Sequence, residues 1–401
     1  MNAAVEQVSS DKTAVRPFHV YVPDAELTDL CRRIKATRLP EKEPVRDLSQ
    51  GVPLATIEKL TRRWTNGYDW RKCEARINAV PNFITEIDGL DVHFVHARSQ
   101  HENALPIIIT HGWPYSVAAL LKIIEPLTNP TAHGGTASDA FHVVMPSIPG
   151  YGFSGKPAST GWGPERIAHA WAVLMNRLSY TRYVAQGGDW GAIITDLMAA
   201  QAPSGLIGMH TNMAAVVPPE IDQRLWAGSP LPAGLTADEK LACDMLAAAY
   251  EKIHYASFMA SRPQTLYAIA DSPVGLAAWL VDFPFSVDLM VRIIDGLPES
   301  LTRDDLLDNC TLYWLTNTGV SSSRLYRENT FNYFAPKGVS IPVAVSIFPD
   351  EIYLPPRSWA EKAYPRLIHF NKVAKGGHFA AWEQPKIFTE ELRAGFRSLR
   401  S

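Results

Sequence analysis

Val184-Ala185-Gln186-Gly187-Gly188-Asp189-Trp190-Gly191-Ala192-Ile193-Ile194 reads as a short apolar strand, a glycine-rich tight turn and the opening of a helix. Within it, Gly187-Gly188-Asp189-Trp190-Gly191 has the form small residue, any, nucleophile, any, small residue, the pattern of a nucleophile elbow. Such a turn jams the central residue's backbone between strand and helix, and glycine on either side removes the Cβ clashes. The central residue is Asp, and no G-x-S-x-G occurs elsewhere, so serine esterase or lipase chemistry is excluded at this point. A carboxylate held there suits attack on an sp3 carbon, which yields an ester that water can later open. Asp189 would also serve as a plain cap on a helix starting at Trp190. The flanking glycines, which a cap does not need, favour the elbow.

Outward from this turn, the chain alternates short apolar runs with helical patterns. The runs 106–110, 141–145, 183–185 and 341–346 are apolar on both faces and are spaced by helices such as 167–178. That predicts a mostly parallel sheet covered on both sides, hence an α/β fold. A hairpin is expected from 83–87 and 90–95, joined at Asp88-Gly89. Upstream of the elbow, His111-Gly112-Trp113-Pro114 follows the strand ending at Thr110. The backbone N–H groups of Trp113 and Trp190 are therefore the candidate oxyanion donors, and His111 itself reads as structural. Downstream, Gly376-Gly377-His378-Phe379-Ala380-Ala381-Trp382-Glu383 places a histidine in a glycine-rich loop before the last helix, 385–399, unlike any of the other histidines. His378 is the candidate base. The acid that orients it should end the preceding strand, where Phe348-Pro349-Asp350-Glu351 offers two adjacent carboxylates. From these residues alone, Asp350 and Glu351 are equally suited.

Between 215 and 330 the alternation stops and helices dominate, at 237–259, 274–280, 289–294 and 302–315. A helical block inserted into such a sheet predicts a cap over its carboxyl edge, where α/β enzymes bind ligands. Before the sheet come an unstructured start of about 15 residues, helices at 24–37 and 54–64, and loops rich in proline and glycine. This N-terminal meander carries too little apolar surface to fold alone. The expected organisation is a meander over 1–95, core over 96–214, cap over 215–330 and core again over 331–401. In the 401 residues, 38 Lys and Arg against 41 Asp and Glu give a net charge of -3 with no block of one sign. Partners of the nucleic-acid or membrane-surface kind are thus excluded. Four dispersed cysteines match neither a disulfide scaffold nor a metal site. No leader-like or spanning apolar segment is visible, which predicts a soluble cytoplasmic protein.

With these residues in place, the chain resembles the microsomal-type epoxide hydrolases, α/β-hydrolases with an N-terminal meander. The resemblance runs through Thr85-Glu86-Ile87-Asp88-Gly89-Leu90, His111-Gly112-Trp113-Pro114, Pro149-Gly150-Tyr151-Gly152-Phe153-Ser154, the elbow, Asp271-Ser272-Pro273-Val274-Gly275-Leu276 and the His378 loop. It implies opening of an epoxide to a vicinal diol through an Asp189 ester, hydrolysed by water that His378 activates. It also implies Glu351 as the acid, with Asp350 spare, and two cap tyrosines, Tyr326 and Tyr255, as donors to the epoxide oxygen. Neither metal nor cofactor is implied, and the substrate is expected to be a small apolar epoxide. The segment after Tyr255 departs from the family pattern, and 265–270 is one residue short. A haloalkane dehalogenase also uses an elbow Asp followed by Trp, but has no use for cap tyrosines. A non-catalytic homologue that binds a small ligand is the further alternative. Which epoxide is taken, and whether the chain forms a homo-oligomer, lie beyond the sequence.

Overall fold

The computed structural model describes residues 11–297 and 300–400. Its centre is a nine-stranded sheet in the order β1-β2-β3-β5-β4-β6-β7-β8-β9. The strands are β1 (Arg16–Phe18), β2 (Asn82–Ile87), β3 (Leu90–Ala97), β4 (Leu105–Thr110), β5 (Phe141–Pro146), β6 (Tyr183–Gly187), β7 (Leu206–Thr211), β8 (Val343–Ile347) and β9 (Leu367–Lys372). Pairings from β1 to β3 and between β3 and β5 are antiparallel; from β5 through β4 to β9 all are parallel. The β2–β3 hairpin closes on Asp88 and Gly89, with φ of 52° and 78°. Positive φ at both central residues is what a type I′ turn requires.

Alternation along the strands divides the core between two faces. Ile107, Ile109, Val143 and Val184 pack with Ile123, Leu127, Phe388 and Leu392. Their neighbours Ile108, Val144 and Ala185 pack with Trp171, Ile193 and Met198 on the other side. The helices that cover the sheet are therefore α4 (Leu121–Thr128) and α17 (Pro385–Gly395) on one face, and α5 (Pro164–Arg177) and α6 (Trp190–Gln201) on the other. A strand with helices on both sides has no solvent face, which is why these runs are apolar throughout.

N-terminal to the sheet are α1 (Asp24–Lys35), α2 (Leu54–Thr65) and α3 (Trp70–Asn78). Between β7 and β8 the chain runs through α7 (Pro219–Trp226), α8 (Ala237–Tyr250), α9 (His254–Ser261), α10 (Tyr267–Asp271), α11 (Pro273–Val281), α12 (Val287–Asp295), α13 (Arg303–Leu315) and α14 (Gly319–Glu328). Short helices α15 (Arg357–Ala363) and α16 (Ala380–Glu383) complete the second half. Among the described residues no helix is long and apolar enough to cross a membrane.

Several expectations are corrected here. The unstructured start expected over about 15 residues falls mostly on residues 1–10, which lie outside the described residues; directly after it, Arg16–Phe18 is a strand of the sheet that was not expected. Because β1, β2 and β3 belong to the sheet, the part before residue 95 that is not sheet ends with α3 at Asn78. The single helix expected over 237–259 is broken at residues 251–253. Tyr250 and Tyr255 both line one cavity. On an unbroken helix they would point about 140° apart, at 100° per residue. Strands β7 and β9 were not expected, since His210, His369 and Asn371 interrupt their apolar pattern. Helix α14 was not expected either; Ser322 and Ser323 are buried on it and return their hydroxyls to the Gly319 carbonyl at 3.0 Å.

Candidate active site

Strand β4 lies between β5 and β6, so the chain leaves β4 to one side and returns on the other. The crevice beyond the carboxyl ends of such strands is where α/β sheets hold ligands. Thr110 ends β4 and Gly187 ends β6 at that crevice, and β8 ends nearby at Ile347. The loops that follow carry Trp113, Asp189 and Glu351.

Asp189 has φ 52° and ψ -128°, a backbone state that costs a non-glycine residue about 1–3 kcal/mol. Its surroundings over-determine it. A Cβ on Gly187 would lie 1.9 Å from the Gly191 carbonyl oxygen, and one on Gly191 would lie 2.0 Å from that of Thr110. Only hydrogen fits at either place, so strand, turn and helix are wedged together with the carboxylate at the apex.

That carboxylate is 8% exposed and is held from two sides. The Trp113 N–H donates to Asp189 Oδ1 at 2.7 Å, and Asp189 Oδ2 lies 3.2 Å from His378 Nε2. The Trp113–Pro114 peptide bond is cis. On the far side of the ring, His378 Nδ1 lies 2.6 Å from Glu351 Oε1. Glu351 is buried and Asp350 is exposed, so the fold brings Glu351 and not Asp350 to the imidazole. Burial alone would lower the His378 pKa, but the Glu351 and Asp189 carboxylates override it and hold the imidazolium up to about 10. The Trp190 N–H is the first amide of α6 and has no protein acceptor among the described residues.

His111 does not join this group. Its Nε2 accepts from the Ile148 N–H at 3.1 Å while Nδ1 faces the Gly112 carbonyl at 3.0 Å, and burial lowers its pKa to about 4. It is a neutral brace between two loops.

Opposite Asp189 stand the aromatic residues of the inserted helices. Tyr255, on α9, stacks on Trp113 with centroids 5.3 Å apart and planes at 13°. Tyr326, on α14, meets Trp190 edge-on at 4.8 Å and lies 6.1 Å from Tyr255. Burial raises both phenols well above their usual range, so both are protonated donors. Tyr255, Tyr326, Trp190 and Asp189 line a cavity of about 170 Å³, whose walls are otherwise mostly aromatic and aliphatic. Tyr255 thus lines the cavity despite the altered segment that follows it.

Three residues of the site escaped the sequence reading. Tyr333 lines the cavity and packs on Trp190 at 5.5 Å; it lies beyond the last inserted helix in an irregular stretch without a periodic signal. Asp222 and Asn332 line the same cavity but are 110 residues apart. Among the described residues no cluster of His, Cys, Asp or Glu could hold a metal ion.

A mostly parallel sheet with helices on both faces, an elbow at its switch point and a helical insertion over the carboxyl edge defines an α/β-hydrolase. The α/β hydrolase fold family matches residues 106–272, and the epoxide hydrolase N terminus family matches residues 15–120. A Stigmatella aurantiaca protein assigned to the epoxide hydrolases is 50% identical over 96% of this chain and 86% of its own. Epoxide hydrolase 1 of Oryctolagus cuniculus is 34% identical over 96% of this chain and 89% of its own. Among solved structures, juvenile hormone epoxide hydrolase of Bombyx mori superposes with a TM-score of 0.86 at 28% identity, covering 97% of this chain and 96% of that one. The chain belongs to the microsomal-type epoxide hydrolase family, and is an epoxide hydrolase.

Proposed function

We propose that this enzyme opens a small, largely apolar epoxide to a vicinal diol in two steps, with Asp189 as nucleophile. The observation that carries this reading is a single cavity in which the elbow carboxylate, backed by His378 and Glu351, faces two protonated phenols. Residues 215–330 act as the cap that supplies those phenols. The reading includes a cytoplasmic location.

Asp189 Oδ1 accepts the Trp113 N–H at the oxyanion position, so Oδ2, beside His378 Nε2, is the oxygen that attacks. It attacks one epoxide carbon while the carbon–oxygen bond on the opposite side breaks and a proton from Tyr326 or Tyr255 passes to the leaving oxygen. The products are an ester, a hydroxyl and a tyrosinate, which the His378 imidazolium reprotonates through solvent. The charge that Asp189 placed beside His378 is now gone, the imidazole is neutral, and Glu351 holds its orientation. It takes a proton from water as the hydroxide adds to the ester carbonyl. The Trp113 and Trp190 N–H groups receive the oxyanion. Collapse expels the diol oxygen, which takes the proton from His378, and the new carboxylic acid of Asp189 gives its own proton to the imidazole, so that carboxylate and imidazolium both return.

Heavy-oxygen water tests the ester. In a single turnover the added diol oxygen should come from Asp189 and be unlabelled, and repeated turnover should label Asp189. Label in the first-turnover diol would mean that water attacks the epoxide directly.

A further inference from the structure

We infer that the outer end of this cavity is a subsite for a hydrogen-bond-donating substituent of the substrate, with Asp222 as the acceptor. The proposal rests on the assignment of the cavity to epoxide opening. One wall runs outward in steps: Tyr333 packs on Trp190 beside Asp189, its neighbour Asn332 donates to Asp222 Oδ2 at 3.2 Å, and Tyr250 donates to Asp222 Oδ1. Tyr250 in turn stacks on Trp226 at 4.4 Å. Trp226 is 55% exposed and lines the cavity, so the cavity reaches the surface there, just past Asp222.

Asp222 itself is 4% exposed, and no ion pair reaches it among the described residues. A carboxylate carries about four acceptor positions, and here one per oxygen is filled by a neutral donor. Apart from Asp189, Asp222 is the one carboxylate of the lining among the described residues. The Lys337 ammonium, bonded to the Asn332 carbonyl at 2.8 Å, acts on this carboxylate through space and fills none of its acceptor positions, so a donor arriving from the substrate makes a charge-assisted hydrogen bond without breaking the two that position it. Tyr250 and Asn332 also fix its direction, so little ordering accompanies binding. An epoxide whose ring sits at Asp189 therefore directs its far substituent past a fixed acceptor.

The test uses matched terminal epoxides that differ only at the far end, hydroxyl against methyl, over a series of chain lengths. At one chain length the wild-type kcat/KM should favour the hydroxyl compound by about tenfold or more, the effect of one charge-assisted hydrogen bond. Asp222→Asn, nearly isosteric, should bring that ratio down severalfold, and Asp222→Leu should bring it to about one or below. A ratio near one at every length in the wild type, or a ratio that both variants leave unaltered, overturns the subsite. If neither compound esterifies Asp189, the reading of the cavity fails and takes the subsite with it.

A different observation carries a second inference: the geometry points to Glu383 as a positioning residue for His378. Its Oε2 accepts the Gly377 N–H at 3.0 Å and its Oε1 accepts the Phe379 N–H at 2.9 Å, so one buried carboxylate grips the amides on both sides of the histidine. Glu383 opens no route to substrate and touches no reacting atom. It sets the loop from which the imidazole reaches Asp189. A small displacement of that ring costs ester hydrolysis about 10²-fold per ångström, while ring opening does not use it. Glu383→Ala should accordingly slow ester hydrolysis at least tenfold and alter alkylation of Asp189 by less than about threefold. Glu383→Gln, which keeps one acceptor, should fall between. Unchanged ester hydrolysis, or an equal loss in both half-reactions, would show that Glu383 is merely structural.

Discussion

Glu351→Ala should slow ester hydrolysis by about 10²-fold or more, because the imidazole loses both its orientation and its neighbouring charge. Asp350→Ala, at an exposed neighbour, should leave the rate within about twofold. Burst kinetics on the two variants checks the difference. The charge around His378 also fixes the sign of a pH effect. Two carboxylates raise its pKa in the free enzyme, and esterification removes the Asp189 contribution. The acid limb of single-turnover ester hydrolysis should therefore lie at lower pH than the His378 titration of the free enzyme followed by NMR. Asp189→Asn should shift that titration downward. A titration that the substitution leaves in place would mean that Asp189 does not contribute.

The elbow joins strand to helix with no room to spare, which makes its glycines a test of the joint itself. Gly191→Ala places a Cβ 2.0 Å from the Thr110 carbonyl oxygen, so β4 and α6 must separate. Loss of several kcal/mol of stability, or no soluble protein, is expected from thermal unfolding. The inserted helices contribute differently. Tyr255 and Tyr326 come from α9 and α14 and converge on one spot. Removing one hydroxyl should slow alkylation of Asp189 while sparing ester hydrolysis, and the double substitution to Phe should nearly abolish alkylation. A general acid is worth about 10²- to 10⁴-fold, shared here between two phenols. Alkylation at the wild-type rate in Tyr255→Phe would leave Tyr326 as sole donor.

The N-terminal helices clasp the insertion, and the insertion braces the loop after β4. Trp64 on α2 donates its indole N–H to Thr311 on α13 at 2.9 Å, and Arg63 grips Asp304 through two nitrogens at 2.8 and 2.7 Å. From α13, Asn309 donates to the Pro114 carbonyl at 2.7 Å and Tyr313 to that of Tyr115 at 3.0 Å. A path of direct contacts thus links the first hundred residues to the loop of the Trp113 amide. Trp64→Ala empties a fully packed position and should cost about 3–5 kcal/mol, read from urea midpoints. A loss below about 1 kcal/mol would mean that the clasp adds little.

Strands β4, β5, β6 and β8, the hairpin turn, the elbow and the loop of His378 were all legible in contiguous residues. Each is a local rule: apolar runs for strands buried on both faces, positive φ at Asp88-Gly89, and glycines where a Cβ cannot fit. Strand β7, whose buried His210 finds its partner Ser346 136 residues away, and helix α14, whose buried Ser322 and Ser323 break the apolar pattern and bond back to Gly319, were not legible. The residues alone left Asp350 and Glu351 equal, and family resemblance pointed to Glu351. Its meeting with His378, the break between α8 and α9 that turns both Tyr250 and Tyr255 to the cavity, and the pairing of Asp222 with Asn332 across 110 residues arose from packing. Which of two neighbouring side chains faces inward depends on the path of the backbone around a core built from distant segments, and local propensity does not encode that path.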